Sequence, residues 1–192
     1  MITPDQARRA VGVLEDGGVI LFGADTVYGL ACAADQPDAV TRLVQLKGRD
    51  AAKPNATLAF SVEAAAPLLE PLGPRTSAAA RALLPGSVTL VLPGGGGLRV
   101  PRLVPGAEAL AAIPTLVVQS SANRAGEPAP ATLTDVAAPL CAAVDLALDA
   151  GPLPGTASTV IDLSAYEGTG AWGVLRHGAA DPRALVAVLD AR

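Results

Sequence analysis

One histidine, two cysteines, one tryptophan, two tyrosines and two phenylalanines are all that 192 residues supply of the side chains that most often ligate metals, form disulfides or stack on bases. His177 alone cannot build a histidine-based metal site, although carboxylates or the phosphates of a bound nucleotide can still hold magnesium. Cys32 and Cys141 stand far apart, outside any C-x-x-C or Cys/His cluster, and read as small apolar thiols kept reduced rather than as a disulfide. So few aromatics cannot make the stacking platform of a single-strand nucleic-acid binder. The formal net charge of -4 argues against a surface coated for nonspecific nucleic-acid binding, while leaving room for a local basic pocket. No apolar window approaches the ~20 residues that cross a bilayer. Residues 1–15 carry Asp5, Gln6, Arg8 and Arg9 where a secretory leader needs an apolar run, so the expectation is a cytoplasmic protein with no membrane partner. Also missing are a G-x-S-x-G elbow, a Walker P-loop and a G-x-G-x-x-G fingerprint after a strand.

What is present is an apolar chain, 51% hydrophobic, long enough to bury one core, and residues 1–192 read as a single domain without repeats or linkers. Thr3, Pro4 and Gln6 form a helix start, with Gly17-Gly18 as its stop. A buried strand at 19–22 follows. From Asp35-Gln36-Pro37 a helix runs to Gly48, with Val40, Leu43, Val44 and Leu46 on one face. Further strands are expected at 57–60, 88–92, 116–118, 144–148, 158–163 and 172–176, and helices at 62–70, 75–84, 133–143 and from Asp181-Pro182 onward. The run Gly94 to Gly97 reads as a loop, or as a phosphate cradle. Strands and helices mix without a strict βαβ repeat, which predicts an α/β or α+β fold with a mixed-direction sheet.

Four polar constellations follow or interrupt the apolar strands. In Asp25-Thr26-Val27-Tyr28-Gly29-Leu30, Thr26 and Tyr28 point to one side of an extended segment and offer two hydroxyls; the plainer reading is a turn with Tyr28 packed beneath a helix. Lys47, Arg49 and Lys53 crowd between Gly48 and Pro54, either solvated near a helix C-terminus or converging on one anion. Ser120-Ser121-Ala122-Asn123, with Gly126, is a solvated turn or a loop that hydrogen-bonds phosphate oxygens or a base edge. The fourth pairs Ser158-Thr159-Val160-Ile161-Asp162 with Val174-Leu175-Arg176-His177-Gly178, where Arg176 ends a strand. No nucleophile with a plausible base emerges. An enzyme built from these parts positions anionic reactants with cations and hydroxyls and lets them react with each other, as adenylate-forming chemistry requires.

In this order, D-T-V-Y-G-L, K-G-R with K-P, L-P-G-x-V-T at 84–89, L-R-V-P at 98–101, S-S-A-N-x-x-G, S-T-V-I-D and V-L-R-x-G resemble the YrdC/Sua5 family, the threonylcarbamoyl-adenylate synthases. The resemblance covers nearly the whole chain. It implies a twisted mixed β-sheet flanked by helices around a concave basic cavity. It implies a nucleotidyltransferase activity: condensation of L-threonine, bicarbonate and ATP into threonylcarbamoyl-AMP and pyrophosphate for tRNA t6A modification. The partner it implies is a tRNA threonylcarbamoyltransferase complex, with a possible tRNA contact. By this resemblance Thr26, Arg99 and Ser158 contact threonine, with Arg99 as the carboxylate clamp, and Tyr28 lines that pocket. Lys47, Arg49, Lys53, Ser121, Asn123 and Arg176 hold ATP, and Mg2+ is held mainly by the ATP phosphates. The chain departs from the family pattern at Gly23-Ala24, Leu58 and Ser87, and the connection between Thr89 and Arg99 shrinks to a glycine run. Two other readings stay open: a paralogue of the same fold with different nucleotide or carbamoyl chemistry, and a noncatalytic RNA-binding module.

Overall fold

The computed structural model describes residues 1–48, 56–124 and 126–191. In chain order the elements are α1 (Pro4–Glu15), β1 (Ile20–Phe22), β2 (Gly29–Ala33), α2 (Pro37–Leu46), β3 (Ala56–Leu58), α3 (Ala66–Leu69), α4 (Pro74–Leu83), β4 (Val88–Val91), β5 (Gly97–Arg99), β6 (Val117–Ser121), α5 (Ala138–Ala142), β7 (Leu146–Leu148), β8 (Thr159–Asp162), α6 (Tyr166–Thr169), β9 (Gly173–Arg176) and α7 (Pro182–Leu189). Local chemistry explains the helix ends. Thr3 Oγ1 accepts from Gln6 N–H at 3.2 Å and Gln6 Oε1 accepts from Thr3 N–H at 2.9 Å, a reciprocal cap that starts α1. Gly17 follows it at a φ of 77°, which a side chain would resist. At α7 the Asp181 carboxylate caps Arg183 N–H.

Among the described residues the strands form one sheet in the order β7-β1-β2-β6-β3-β5-β4-β8-β9. Pairs β1/β7, β3/β5 and β4/β8 are parallel and the others antiparallel, so the sheet is mixed, as expected. Two strands escaped the sequence reading. β2 is Gly-Leu-Ala-Cys-Ala and β5 is Gly-Leu-Arg, and neither has the β-branched run that marks a strand. Gly94 to Gly96 of the glycine run form the turn joining β4 to β5, and Gly97 opens β5. Gly94 and Gly95 take φ of 94° and 88°, and Leu92 N–H donates to Gly96 O at 2.9 Å. The expected helix at 133–143 splits into a capped 3-10 turn at Leu133–Asp135 and α5, because Val136 is extended, Ala137 is not helical and Pro139 opens a fresh first turn. Likewise the helix expected at 62–70 is regular only over Ala66–Leu69, with Pro67 in its first turn.

The period of two along the strands divides the core. Ile20, Phe22, Ala31, Ala33, Leu58 and Val117 share one face and pack on Ala10 and Leu14 of α1. On the other face, Leu21, Leu30 and Cys32 pack on Ala39 and Leu43 of α2. Farther along that face, Leu90, Leu98 and Ile161 pack on Ala79 and Ala80 of α4 and on Leu185 and Leu189 of α7. The α1 layer covers only part of its face; beyond Leu58 the same face carries Ala56, Gly97, Thr89 and Arg176 and opens into a cavity. Both cysteines are free thiols, and burial pushes the Cys32 thiol up to about 11. No helix among the described residues is long and apolar enough to cross a membrane.

Candidate functional site

The cavity measures about 400 Å³. Register creates it: Gly97 of β5, Ala56 of β3 and Gln119 of β6 lie side by side, and the first two raise almost no side chain, so the sheet is hollow there. Around that floor stand Arg99, Gln119, Thr89, Ser158 and Arg176.

Arg99 is only 5% exposed. Its Nη2 donates to Asp25 Oδ1 at 2.8 Å, to Asp25 Oδ2 at 3.1 Å and to Thr26 Oγ1 at 3.2 Å, while Nη1 donates to Gln119 Oε1 at 3.3 Å. Its Nε–H is buried with no partner among the described residues. Across the cavity, Arg176 Nε and Nη2 donate to Ser158 O at 3.2 and 2.8 Å, and Nη2 also reaches Ser158 Oγ at 3.2 Å. Ser158 Oγ lies 2.8 Å from Thr89 Oγ1. Desolvation, and then the positive charge of Arg99, hold the Arg176 pKa below its ordinary value. Two guanidiniums therefore repel each other across a space in which Asp25 offsets only one of them. The guest that relieves this repulsion is an anion.

The segment leading into β2 is held from several sides: Ala24 O accepts from Val104 N–H, Thr26 O from Gly155 N–H, and Tyr28 N–H donates to Pro130 O, each at 2.9 Å. These anchors bend residues 25–27, so the alternation expected of an extended strand fails. Thr26 stands against Arg99, Val27 reaches the cavity, and Tyr28, expected on the pocket wall, points elsewhere. Its ring is fully buried beside Leu30 and Cys32. Its hydroxyl donates to Asp149 Oδ1 at 2.7 Å, lies 2.9 Å from Gly151 O, and accepts from Ala150 N–H at 3.0 Å. Burial, then the Asp149 hydrogen bond, push the phenol pKa well above its ordinary value. Gly23 explains itself here, because a Cβ on it would stand 2.9 Å from the Tyr28 ring and 3.1 Å from Ala150 Cβ. Tyr28→Phe leaves the buried Ala150 N–H without its acceptor and takes a donor from Asp149, and it is expected to cost about 1–3 kcal/mol of stability. Thermal unfolding checks it, and turnover per folded molecule stays at the wild-type level.

The residues assigned to ATP divide. Ser121 and Arg176 line the cavity. Lys47 is buried, and its Nζ donates to the backbone carbonyls of Ser121 and Asn123, which fastens the loop after β6. Asn123 spends its Nδ2 on Arg124 O at 3.1 Å and Glu127 O at 2.6 Å, folding the turn rather than lining the cavity. Arg49 and Lys53 lie outside the described residues. Four polar residues of the site have no role assigned from the sequence: Asp25, Thr89, Gln119 and Ser120. Asp25 and Thr89 lie inside quoted motifs, and an acid beside an anion pocket makes sense only once its pairing with Arg99 is visible. Nothing in the sequence marks Gln119.

Comparison with known proteins supplies the lineage. A family model for Sua5/YciO/YrdC proteins, described as "Telomere recombination", matches residues 12–178. A threonylcarbamoyl-AMP synthase of Chromohalobacter salexigens is 34% identical over 180 residues, covering 86% of this chain and 96% of its own length. One from Pyrococcus abyssi is 30% identical over 83% of this chain, which spans about half, 51%, of that longer protein. The crystal structure of P. abyssi Sua5 complexed with L-threonine superposes with a TM-score of 0.83 at 28% identity, covering 98% of this chain and 58% of that one. A match over most of the length, on a fold that superposes almost throughout, places the chain in the Sua5/YciO/YrdC family.

Proposed function

We propose that this protein is a threonylcarbamoyl-AMP synthase, a nucleotidyltransferase that condenses L-threonine, bicarbonate and ATP and releases pyrophosphate. The observation that carries the reading is the pair of guanidiniums, Arg99 and Arg176, each pinned by protein acceptors and facing one cavity floored by glycine and alanine. A relative of the same fold was crystallised with L-threonine. In this reading Arg99, with Thr26 beside it, receives the threonine carboxylate, and Arg176, with Ser121, takes phosphate oxygens. The threonine amine attacks the carbon of bicarbonate with loss of water, or of carbon dioxide with loss of a proton, to give a carbamate, and a carbamate oxygen attacks the α-phosphorus with pyrophosphate leaving. Both steps bring anions together, so fixed cations and in-line placement are the protein's main contribution. Among the described residues no group of three His, Cys, Asp or Glu side chains gathers to hold a metal ion, so Mg2+ in this reading is carried on the triphosphate. The adenylate is a mixed anhydride, consumed by an acyl transferase acting on tRNA.

Purified protein incubated with ATP, bicarbonate and L-threonine is expected to release pyrophosphate in proportion to threonine and to accumulate the adenylate. Pyrophosphate release indifferent to threonine would overturn the reading.

A further inference from the structure

Gln119 is the cavity side chain whose hydrogen-bonding capacity the protein half uses. It is 8% exposed and projects from β6 on the cavity face. Arg99 sits on the same face and meets it diagonally over Ala56. Guanidinium groups only donate, so the glutamine atom 3.3 Å from Arg99 Nη1 is the carbonyl Oε1 and the amide nitrogen points away. On that side a Cβ at Gly29 would stand 2.8 Å from Nε2, so the glycine makes room for the amide. Nothing among the described residues accepts from Nε2.

The need for that donor follows from Arg99. A guanidinium usually grips a carboxylate with two parallel N–H groups. Here Nη2 is spent on Asp25 and Thr26, and Nε is shut away from the cavity, which leaves Nη1 as a single prong. The geometry points to Gln119 as a substrate-binding residue: its carbonyl fixes Arg99 Nη1, and its amide N–H supplies the second prong to the carboxylate of L-threonine. Asp25, Arg99 and Gln119 thus form a composite clamp. This inference rests on the synthase reading.

Gln119→Glu keeps the shape and the acceptor for Arg99 but removes the donor and sets a negative charge beside the substrate carboxylate. Gln119→Met removes both functions without adding charge. Steady-state kinetics with L-threonine and ATP varied separately are expected to show the threonine KM raised at least ~10-fold in Gln119→Glu and about 3-fold or more in Gln119→Met, with the ATP KM within about twofold of wild type. A purely structural role moves both constants together. That outcome, or an unchanged threonine KM in Gln119→Glu, overturns the inference while wild-type turnover leaves the synthase reading standing. Calorimetric titration of L-threonine into wild type and Gln119→Glu is the independent arm. Binding weakened about tenfold supports the clamp, equal binding removes it, and no binding to wild type refutes both the clamp and the synthase reading.

Discussion

Arg99→Ala is expected to cut use of L-threonine sharply and to weaken the fold in the same stroke. The two losses have different causes. Removing a preorganised donor aimed at developing or transferred charge costs about 2–4 kcal/mol in the transition state, about 30- to 900-fold in kcat/KM. Separately, the substitution leaves Asp25, only 6% exposed, as a buried carboxylate without its counterion. Breaking such a pair from one side costs about 3–5 kcal/mol, and a chain of this size loses about 2–4 °C in Tm per kcal/mol. Arg99→Lys separates the effects. It keeps a cation for Asp25 but lacks the planar fork, so its Tm is expected to lie nearer wild type while the threonine KM stays high. Binding of ATP, measured by titration with a nonhydrolysable analogue, is expected to change far less than threonine use in both variants, because in this reading Arg176 and Ser121, not Arg99, take the phosphate oxygens. Equal losses for both substrates would contradict this division of the pocket.

The lining of the cavity is partly legible in the chain itself. β1, β4, β6 and β8 carry apolar, largely β-branched runs, and the polar residues at their ends mark the rim of a site. Ser121 ends β6 and Ser158 immediately precedes β8, while Thr26 lies in the connection that follows β1 and Arg176 ends β9. What the linear order hides is register. Gln119 and Arg99 are twenty positions apart and meet only because β3 inserts between β6 and β5 and presents Ala56 beneath both. β3 answers to the strand expected at 57–60, but β5 is three residues long and carries no β-branched residue, so nothing in hydropathy announces that neighbourhood. Tyr28 fails for the opposite reason. Its spacing from Thr26 predicts a shared side, but backbone hydrogen bonds from Val104 and Gly155 bend the segment and send the phenol to Asp149. The departure at Gly23 likewise belongs to packing, since the Tyr28 ring occupies the space a side chain there would need.

Gly178→Ala tests how tightly the far wall of the cavity is set. A Cβ at this position would stand 2.3 Å from Ala157 O and 2.5 Å from the carbonyl carbon of Ser158, and both neighbours are backbone. The chains cannot simply part, because Ala179 N–H donates to Ala157 O at 2.9 Å and Ala180 N–H to Thr159 Oγ1 at 3.0 Å across the same crossing. Relief requires a shift of about 1 Å in the segment that carries Ser158 into β8, since packed carbon–oxygen contacts close to little under 3.3 Å. Ser158 in turn holds Arg176 through its carbonyl and touches Thr89 through its hydroxyl, so one displaced peptide moves three lining residues together. Misplacement on that scale can cost ~100-fold in rate. Overpacking of this kind costs about 1–3 kcal/mol, a fall of about 2–12 °C in Tm at this chain length. The kinetic signature differs from that of Arg99→Ala: the KM values for ATP and for threonine are expected to rise together, because the displaced group includes both Arg176 and Ser158. A Gly178→Ala enzyme with wild-type Tm and kcat/KM within twofold of wild type would mean that the crossing is loose and that Ser158 does not set the position of Arg176.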